Sequence, residues 1–188
     1  KLFGAAHAMK GGIGSAAVSV DGVTVGALIA VNALGDVVDP ASGRPIAGAR
    51  SADGRLHGSV ARALAGERPL SLLSGTQTTI GVIATDAPLT KAKCQRLAGA
   101  GHDGLARAIR PVHTMSDGDT LFALATGQTR ALDFNVLCSM AGEAVARACV
   151  NAVQAARSLS VAGVQLPAAI DIEAAGASLE RAGGQVQP

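Results

Sequence analysis

Aromatic residues are almost absent from this sequence, which has three phenylalanines and no tryptophan or tyrosine among its 188 residues. A core must therefore be built from alanine, valine, isoleucine and leucine, whose small side chains let layers pack close together. The length suits one domain, and the 48% of apolar residues suffice for a sizeable core. The shortage of aromatic surface also disfavours recognition of large flat ligands.

Charge, cysteine and long apolar runs are equally scarce. The net charge is only +2, and lysine and arginine are too scattered to form the basic patch of a nucleic-acid-binding protein. No apolar run reaches the length needed to span a membrane. Three cysteines (Cys94, Cys138 and Cys149) and four histidines show neither a disulfide framework nor metal-ligand spacing. We therefore expect no metal, cofactor, nucleic acid or membrane partner, and a cytoplasmic location.

The chain alternates strand-like and helix-like segments. Asp21 and Gly22 tolerate positive φ and predict a tight hairpin turn. The full prediction is a glycine-rich loop over 4–15, strands at 16–20, 23–31, 79–85 and 120–126, a surface excursion over 35–75 with a short helix near 58–65, helices at 90–109 and 135–157, and a flexible tail over 159–188.

The central strands are apolar on both faces, as residues 25–31 illustrate with the run VGALIAV. Such a pattern is typical of strands buried between two layers. Helices follow these strands along the chain, so the sequence predicts a layered α/β sandwich rather than a barrel.

Thr78 is the first candidate functional residue. At the start of a buried strand it is most simply an ordinary β-branched strand residue. A polar, glycine-containing linker, Ser74 to Thr76, precedes it, and a chain can be cut at such a place without damage to the fold. Cleavage of the Gln77–Thr78 bond would give Thr78 both a hydroxyl and a free α-amine, which is a known way to activate a threonine nucleophile.

Two further positions carry polar groups next to predicted strands. Asp117 and Asp119 flank Gly118, and their i, i+2 spacing can place both carboxylates on one side. A solvated turn is the alternative, and a calcium site is disfavoured because no further carboxylates follow at the required spacing. Asn32 ends a strand, where its amide is either a turn-forming group or an oxyanion donor.

Taken together, these segments resemble the L-aminopeptidase/D-esterase family, which includes the β-aminopeptidases and the nylon-oligomer hydrolase. The matching segments are MKGGIGSA at 9–16, residues 25–40, TTIGVIATD at 78–86, and residues 102–123 with IRPVHT and DGDTLFA. The resemblance implies a four-layer αββα sandwich and a self-processing hydrolase domain over 1–158. Residues 1–77 would be the end of an α chain, and residues 78–158 a β chain.

The resemblance also assigns roles to individual residues. Thr78 matches the nucleophile and Asn32 the oxyanion-stabilising asparagine. Asp117 and Asp119 match the acid pair that orients the nucleophile. Lys1 falls at the position of an active-site lysine, and Gln77, the residue before the cleaved bond, stands where relatives commonly have asparagine.

The implied activity is hydrolysis of amides near a free amino terminus, on small amide or peptide substrates and without a cofactor. The implied assembly is an α/β heterodimer that forms higher homo-oligomers. The family has a substantial segment ahead of the position of Lys1, so we expect the sandwich to be incomplete within these 188 residues. Two alternatives remain open, namely an ornithine acetyltransferase-like acyl transfer and a non-catalytic oligomeric scaffold.

Overall fold

A computed structural model describes residues 1–70, 77–161 and 163–172 of the chain. A four-stranded sheet and two long helices form the framework of this part. The strands are β1 (Gly12–Val20), β2 (Val23–Val31), β3 (Asp36–Val38), β4 (Pro45–Ala47), β5 (Ile80–Thr85), β6 (Ile109–Arg110), β7 (Thr120–Ala125), β8 (Leu159–Val161) and β9 (Val164–Leu166), and the α-helices are α1 (Ser59–Leu64), α2 (Lys91–Ala108) and α3 (Phe134–Gln154). The predicted helices at 58–65, 90–109 and 135–157 are thus confirmed, each within a few residues.

The hairpin of β1 and β2 turns at Asp21 and Gly22, whose φ angles of 51° and 78° confirm the predicted turn. The predicted loop over 4–15 is wrong in its second half, because β1 already begins at Gly12. Two glycines of β1, Gly12 and Gly14, allow close packing against α3. A Cβ at Gly12 would lie 2.1 Å from the carbonyl oxygen of Ala152, and one at Gly14 would lie 2.3 Å from that of Ala148. The glycines therefore let α3 approach the strand.

The main sheet has the order β1-β2-β5-β7. Strand β2 runs antiparallel to both of its neighbours, β1 and β5, whereas β5 and β7 run parallel, with Ile80 opposite Thr120. A parallel pair needs a long crossover, and α2 lies within it. Because both strands begin at the same edge of the sheet, the residues just before Ile80 and just before Thr120 must meet there.

Helix α3 packs on β1 and β2, while α2 packs on α3 and β7. The opposite face of the sheet is not covered by the described residues. Its apolar side chains are about half exposed, for example Leu28 at 50%, Ile80 at 47% and Phe122 at 58%. The prediction that these strands are buried on both faces is therefore wrong for the described chain. The α/β class is confirmed, and the described residues form one sheet-and-helix half of the expected αββα sandwich.

Residues 35–70 have more regular structure than the surface excursion that was predicted over 35–75. Strands β4, β3 and β6 form a small sheet. Asp36 is buried at 2% exposure, and its carboxylate accepts hydrogen bonds from Ala49 N at 2.9 Å and from Ser59 Oγ at 2.7 Å. Hydrophobic periodicity does not reveal a buried carboxylate that joins separate segments of the chain. The sequence pattern therefore does not predict β3 and β4.

The predicted flexible tail is ordered in its first part. Strands β8 and β9 pair as an antiparallel hairpin, and Lys10 N donates to Pro167 O at 2.9 Å. Ala168 and Ala169 are buried at 0% and 2% exposure. Residues 173–188 of that predicted tail lie outside the described residues, as does the predicted linker Ser74 to Thr76.

Helix α3 is long and apolar enough to cross a membrane by length and composition alone, although the sequence contains no uninterrupted apolar run of that length. In the structure 61% of that stretch is buried inside the fold, against the strands and α2. The apolar side chains of α3 therefore form part of the protein core.

Two glycines of α2 give a matched test of this packing. A Cβ at Gly104 would lie 2.3 Å from the carbonyl oxygen of Gly142 and 2.8 Å from Val145 Cβ, whereas one at Gly99 would meet only Arg96 Nη1, at 3.5 Å. We expect Gly104→Ala to lower the free energy of unfolding by about 1–3 kcal/mol through overpacking. Gly99→Ala should raise it by up to about 1 kcal/mol through helix propensity. Urea unfolding of both variants measures the change in the free energy of unfolding. The same change in Gly104→Ala and Gly99→Ala would contradict the close contact between α2 and α3.

Candidate active site

Thr78 lies immediately before β5, at the edge where β5 and β7 both begin. It is half-buried between Gln77 at 3% exposure and Thr79 at 0%. The backbone N–H of Thr78 donates to Asn32 O at 3.2 Å. Its hydroxyl donates to the carbonyl oxygen of Gln77 at 2.8 Å. The hydroxyl is therefore held beside the peptide group that precedes it.

The Gln77 carbonyl has a second donor, because Gly118 N donates to Gln77 O at 2.9 Å. Gly118 also lies close to the hydroxyl, since a Cβ built on it would be 2.9 Å from Thr78 Oγ1. The sequence analysis did not assign a role to Gly118. Its position between the two aspartates was the available signal, and the structure shows that a side chain there would crowd the Thr78 hydroxyl.

Asp119 contacts the residue after Thr78. Its Oδ1 accepts a hydrogen bond from Thr79 N at 2.8 Å, and its side chain is only 3% exposed. Its Oδ2 lies 3.1 Å from His113 Nδ1, which is the separation of an ion pair. The ring is not aligned for a hydrogen bond, and Asp119 Oδ2 has no other partner among the described residues. The contact is therefore electrostatic, and it involves a histidine that sequence reasoning left unassigned.

Asp117 has different contacts from Asp119. Its Oδ2 accepts from Thr114 N at 3.1 Å and from Thr114 Oγ1 at 2.8 Å, and its Oδ1 accepts from Leu34 N at 3.4 Å. Its backbone forms a β-bridge with Gln77. Asp117 thus fixes the loop that presents Gly118, whereas Asp119 fixes the start of β5. The structure brings both predicted acids to the Thr78 site with separate functions.

Asn32 and Lys1 complete the set of predicted residues. The ammonium of Lys1 donates to the backbone oxygen of Asn32 at 3.3 Å and also to its side-chain oxygen Oδ1. Burial lowers the pKa of this ammonium, and the nearby Asp117 carboxylate opposes that shift. Since Asn32 O also accepts from Thr78 N, Lys1, Asn32 and Thr78 lie in one connected group.

A cleft of about 310 Å³ opens beside Asn32 and Lys1. Its lining combines the side chains of two lysines with aliphatic and thioether groups. The main contributors are Lys1, Lys10, Met9, Val31, Val37, Val153, Leu159 and Leu166. A cleft of this size and composition fits a small aliphatic molecule with one polar or anionic end.

The order of these segments matches a known protein family. The sequence pattern of peptidase family S58 matches residues 4–165, which include every candidate site residue except Lys1. The chain belongs to peptidase family S58. This membership of a peptidase family confirms the resemblance drawn from the motifs.

Curated relatives of this S58 chain are named as aminopeptidases. An uncharacterized aminopeptidase of Mycobacterium leprae is 46% identical over 175 residues, which cover 85% of this chain and 48% of the relative. An uncharacterized aminopeptidase of Mycobacterium tuberculosis is 52% identical over 128 residues, covering 65% of this chain and 37% of the relative. The chain thus spans half or less of the length of these relatives.

Solved structures give the same picture of the S58 fold. A Burkholderia β-aminopeptidase matches with a TM-score of 0.64 at 27% identity, over 97% of this chain and 52% of its own. The L-aminopeptidase D-Ala-esterase/amidase of Ochrobactrum anthropi matches with a TM-score of 0.61 at 25% identity, over 94% of this chain and 50% of its own. That enzyme is described as a prototype for the serine aminopeptidases and as a variant of the Ntn hydrolase fold.

Proposed function

We propose that the protein is a self-cleaving aminopeptidase whose nucleophile is Thr78, freed by cleavage of the Gln77–Thr78 bond. The observation that carries this proposal is the position of the Thr78 hydroxyl, 2.8 Å from the oxygen of the Gln77 carbonyl it would attack. Membership of family S58 supports the peptidase class. The description of the Ochrobactrum relative as a serine aminopeptidase supports a hydroxyl nucleophile at the equivalent step.

In maturation, Thr78 Oγ1 attacks the Gln77 carbonyl carbon, and the hydroxyl proton passes to the Thr78 nitrogen as the C–N bond breaks. The product is an ester between Gln77 and Thr78. Water hydrolyses this ester, which leaves a carboxylate on Gln77 and restores the Thr78 hydroxyl with a free α-amine. The N–H of Gly118, 2.9 Å from Gln77 O, supports the oxyanion of the first step, where one such donor is worth about 3–4 kcal/mol.

In turnover, the same hydroxyl attacks the amide carbon of the substrate and releases the amine product. Water then cleaves the acyl-enzyme ester. The free α-amine of Thr78 has an ordinary pKa of about 7.7–8.0, so near neutral pH a useful fraction is the neutral base. We assign Asn32 as the oxyanion donor for this step. Its side-chain oxygen is already held by Lys1, and this contact orients the amide.

The cleft beside Asn32 supports a substrate class. Its aliphatic lining fits small aliphatic amides, and its lysines fit a carboxylate or carbonyl at one end. We therefore propose small peptides, β-amino-acid amides or ω-amino-acid oligomers as substrates. The similar structures of a β-aminopeptidase and of an L-aminopeptidase with amidase activity support the first two classes.

The two fragments are expected to stay together after cleavage. Strand β2 belongs to the first fragment and β5 to the second, and they pair antiparallel from Val25–Thr85 to Ala30–Ile80. Cleavage thus gives an α/β heterodimer that shares one sheet, and we propose that higher homo-oligomers form from it. We also propose a cytoplasmic location, supported by the three unpaired cysteines of the described residues.

A panel of substrates tests this function in the full gene product. Amino-acid p-nitroanilides, β-alanyl amides and 6-aminohexanoate oligomers are incubated with cleaved protein, and hydrolysis of at least one class is expected. The acetyltransferase alternative predicts instead that acetyl groups pass from acetylornithine to glutamate without hydrolysis of the panel. The scaffold alternative predicts an uncut chain with neither reaction.

A further inference from the structure

We propose that His113 is a positioning residue that keeps Asp119 ionised and correctly oriented at the nucleophile. This role rests on the proposed function of Thr78. It is not contained in the acid-pair assignment, because it adds a residue from the loop that joins β6 to β7. In this account His113 acts through Asp119 and His102 supports His113.

The geometry places His113 at the outer side of the carboxylate. Asp119 has a nearly fully buried side chain and uses Oδ1 to hold Thr79 N at 2.8 Å. Its other oxygen, Oδ2, is buried and meets His113 Nδ1 at 3.1 Å. A buried carboxylate stays ionised only where an opposite charge or donors compensate for lost solvation. Among the described residues, His113 is the side chain that lies within ion-pair distance of Asp119 Oδ2.

The backbone at His113 has an unusual conformation. Its φ of 55° lies in the left-handed region, which few residues other than glycine adopt and which histidine enters more often than most. Strain of this kind persists where the surrounding structure requires it, and it is concentrated at functional sites. Here the conformation brings the imidazole between Asp119 and His102.

His102 holds the other nitrogen of the ring. Its Nδ1 lies 3.4 Å from His113 Nε2, and the two rings have centroids 4.9 Å apart. Burial lowers the pKa of His102 and His113 lowers it further, whereas Asp119 and Asp103 oppose the shift. His102 is therefore harder to protonate than an ordinary histidine. The ring of His113 lies between it and Asp119.

Other charged groups face this cluster from each packed element. Helix α2 contributes His102 and Asp103, and Asp117 lies on the same loop as Asp119 and interacts with Lys1. Helix α3 contributes Cys149, whose thiol pKa is raised to about 12, mainly by burial and further by Asp119. The thiol is therefore neutral and adds no charge beside Asp119, whereas the imidazole of His113 lies 3.1 Å from Asp119 Oδ2.

This arrangement also answers an electrostatic problem of the proposed mechanism. Two nearby carboxylates would stabilise the ammonium form of the Thr78 α-amine and make it a poorer base. Lys1 near Asp117 offsets one of these charges. The imidazole of His113, 3.1 Å from Asp119 Oδ2, offsets the other whenever it is protonated.

The test compares two substitutions that both tolerate the left-handed backbone. His113→Gly removes the imidazole, whereas His113→Asn keeps an N–H near the position of Nδ1 but cannot carry a charge. We expect His113→Gly to slow self-cleavage at least about tenfold at pH 8 and to move the acid limb of its pH profile up by about one pH unit. His113→Asn should restore the rate at pH 8 to within about threefold while keeping the displaced limb.

Two controls separate this role from a merely structural one. Added imidazole should partly restore cleavage in His113→Gly. His57 pairs with Asp53 at 3.6 Å on the surface, and His57→Asn should leave the rate and the pH profile unchanged. In the uncut Thr78→Ala protein, the imidazole NMR signals of His113 should move when Asp119→Asn is added, whereas those of the surface residue His57 should stay in place.

The outcomes distinguish this inference from the proposed function. A wild-type chain that cleaves, together with a His113→Gly variant of the same rate and acid limb, would overturn the role of His113 alone. Imidazole NMR signals of His113 that do not move in Asp119→Asn would do the same. A wild-type chain that never cleaves would overturn the proposed function, and the role of His113 with it.

Discussion

Thr78→Ala should abolish both self-cleavage and amide hydrolysis, with a loss of at least about a thousandfold in each. The substitution removes the only atom proposed to attack Gln77, and without cleavage no free α-amine is formed. Thr78→Ser keeps the hydroxyl that lies 2.8 Å from Gln77 O and should cleave within about tenfold of the wild-type rate. Denaturing gels over time and release of p-nitroaniline measure the two reactions.

The neighbouring residue supplies a matched control. Thr79 is fully buried, and its Oγ1 has no hydrogen-bond partner among the described residues. Thr79→Val keeps the shape and removes an unsatisfied hydroxyl, so it should cleave normally and gain up to about 1 kcal/mol of stability. Loss of cleavage in Thr79→Val together with normal cleavage in Thr78→Ala would contradict the assignment.

Asp119→Asn should have the second largest effect, about a hundredfold on self-cleavage. An asparagine can still accept the hydrogen bond from Thr79 N, which Asp119 now accepts at 2.8 Å, so the fold is kept while the charge is lost. Asp117→Asn should cost less, about threefold to tenfold, since Asp117 holds Thr114 and Leu34 rather than the start of β5.

Circular dichroism and urea unfolding serve as controls for these two variants, because a partly unfolded protein would lose cleavage for a trivial reason. If both folded variants cleave at the wild-type rate, Asp117 and Asp119 are ordinary turn residues without a role in cleavage. A larger loss in Asp117→Asn than in Asp119→Asn would contradict the division of their roles.

The sequence predicted the parts of this fold that depend on local chemistry. The turn at Asp21 and Gly22 follows from positive φ, and α2 begins after Thr90, whose hydroxyl accepts from Lys93 N at 3.3 Å. Motif resemblance then placed Thr78, Asn32 and the two aspartates, which the structure brings to one edge of the sheet.

The missed features depend on contacts between distant segments. Gly12 and Gly14 favour a loop in the sequence, but in the structure they lie in β1 and allow the close approach of α3. Asp36 reads as a surface residue in the sequence, but in the structure it accepts hydrogen bonds from Ala49 and Ser59. His113 is an isolated histidine in the sequence, and only the fold places it beside Asp119 and His102. Periodicity contains no information about such pairs.

The central claim is that the bond between Gln77 and Thr78 is cut by the chain itself. Intact-mass analysis with N-terminal sequencing of the purified full gene product tests it most directly. The account predicts a fragment whose first residue is Thr78, present in the wild type and absent from Thr78→Ala. A single uncut species in the wild type, or a cut at any other bond, would contradict it.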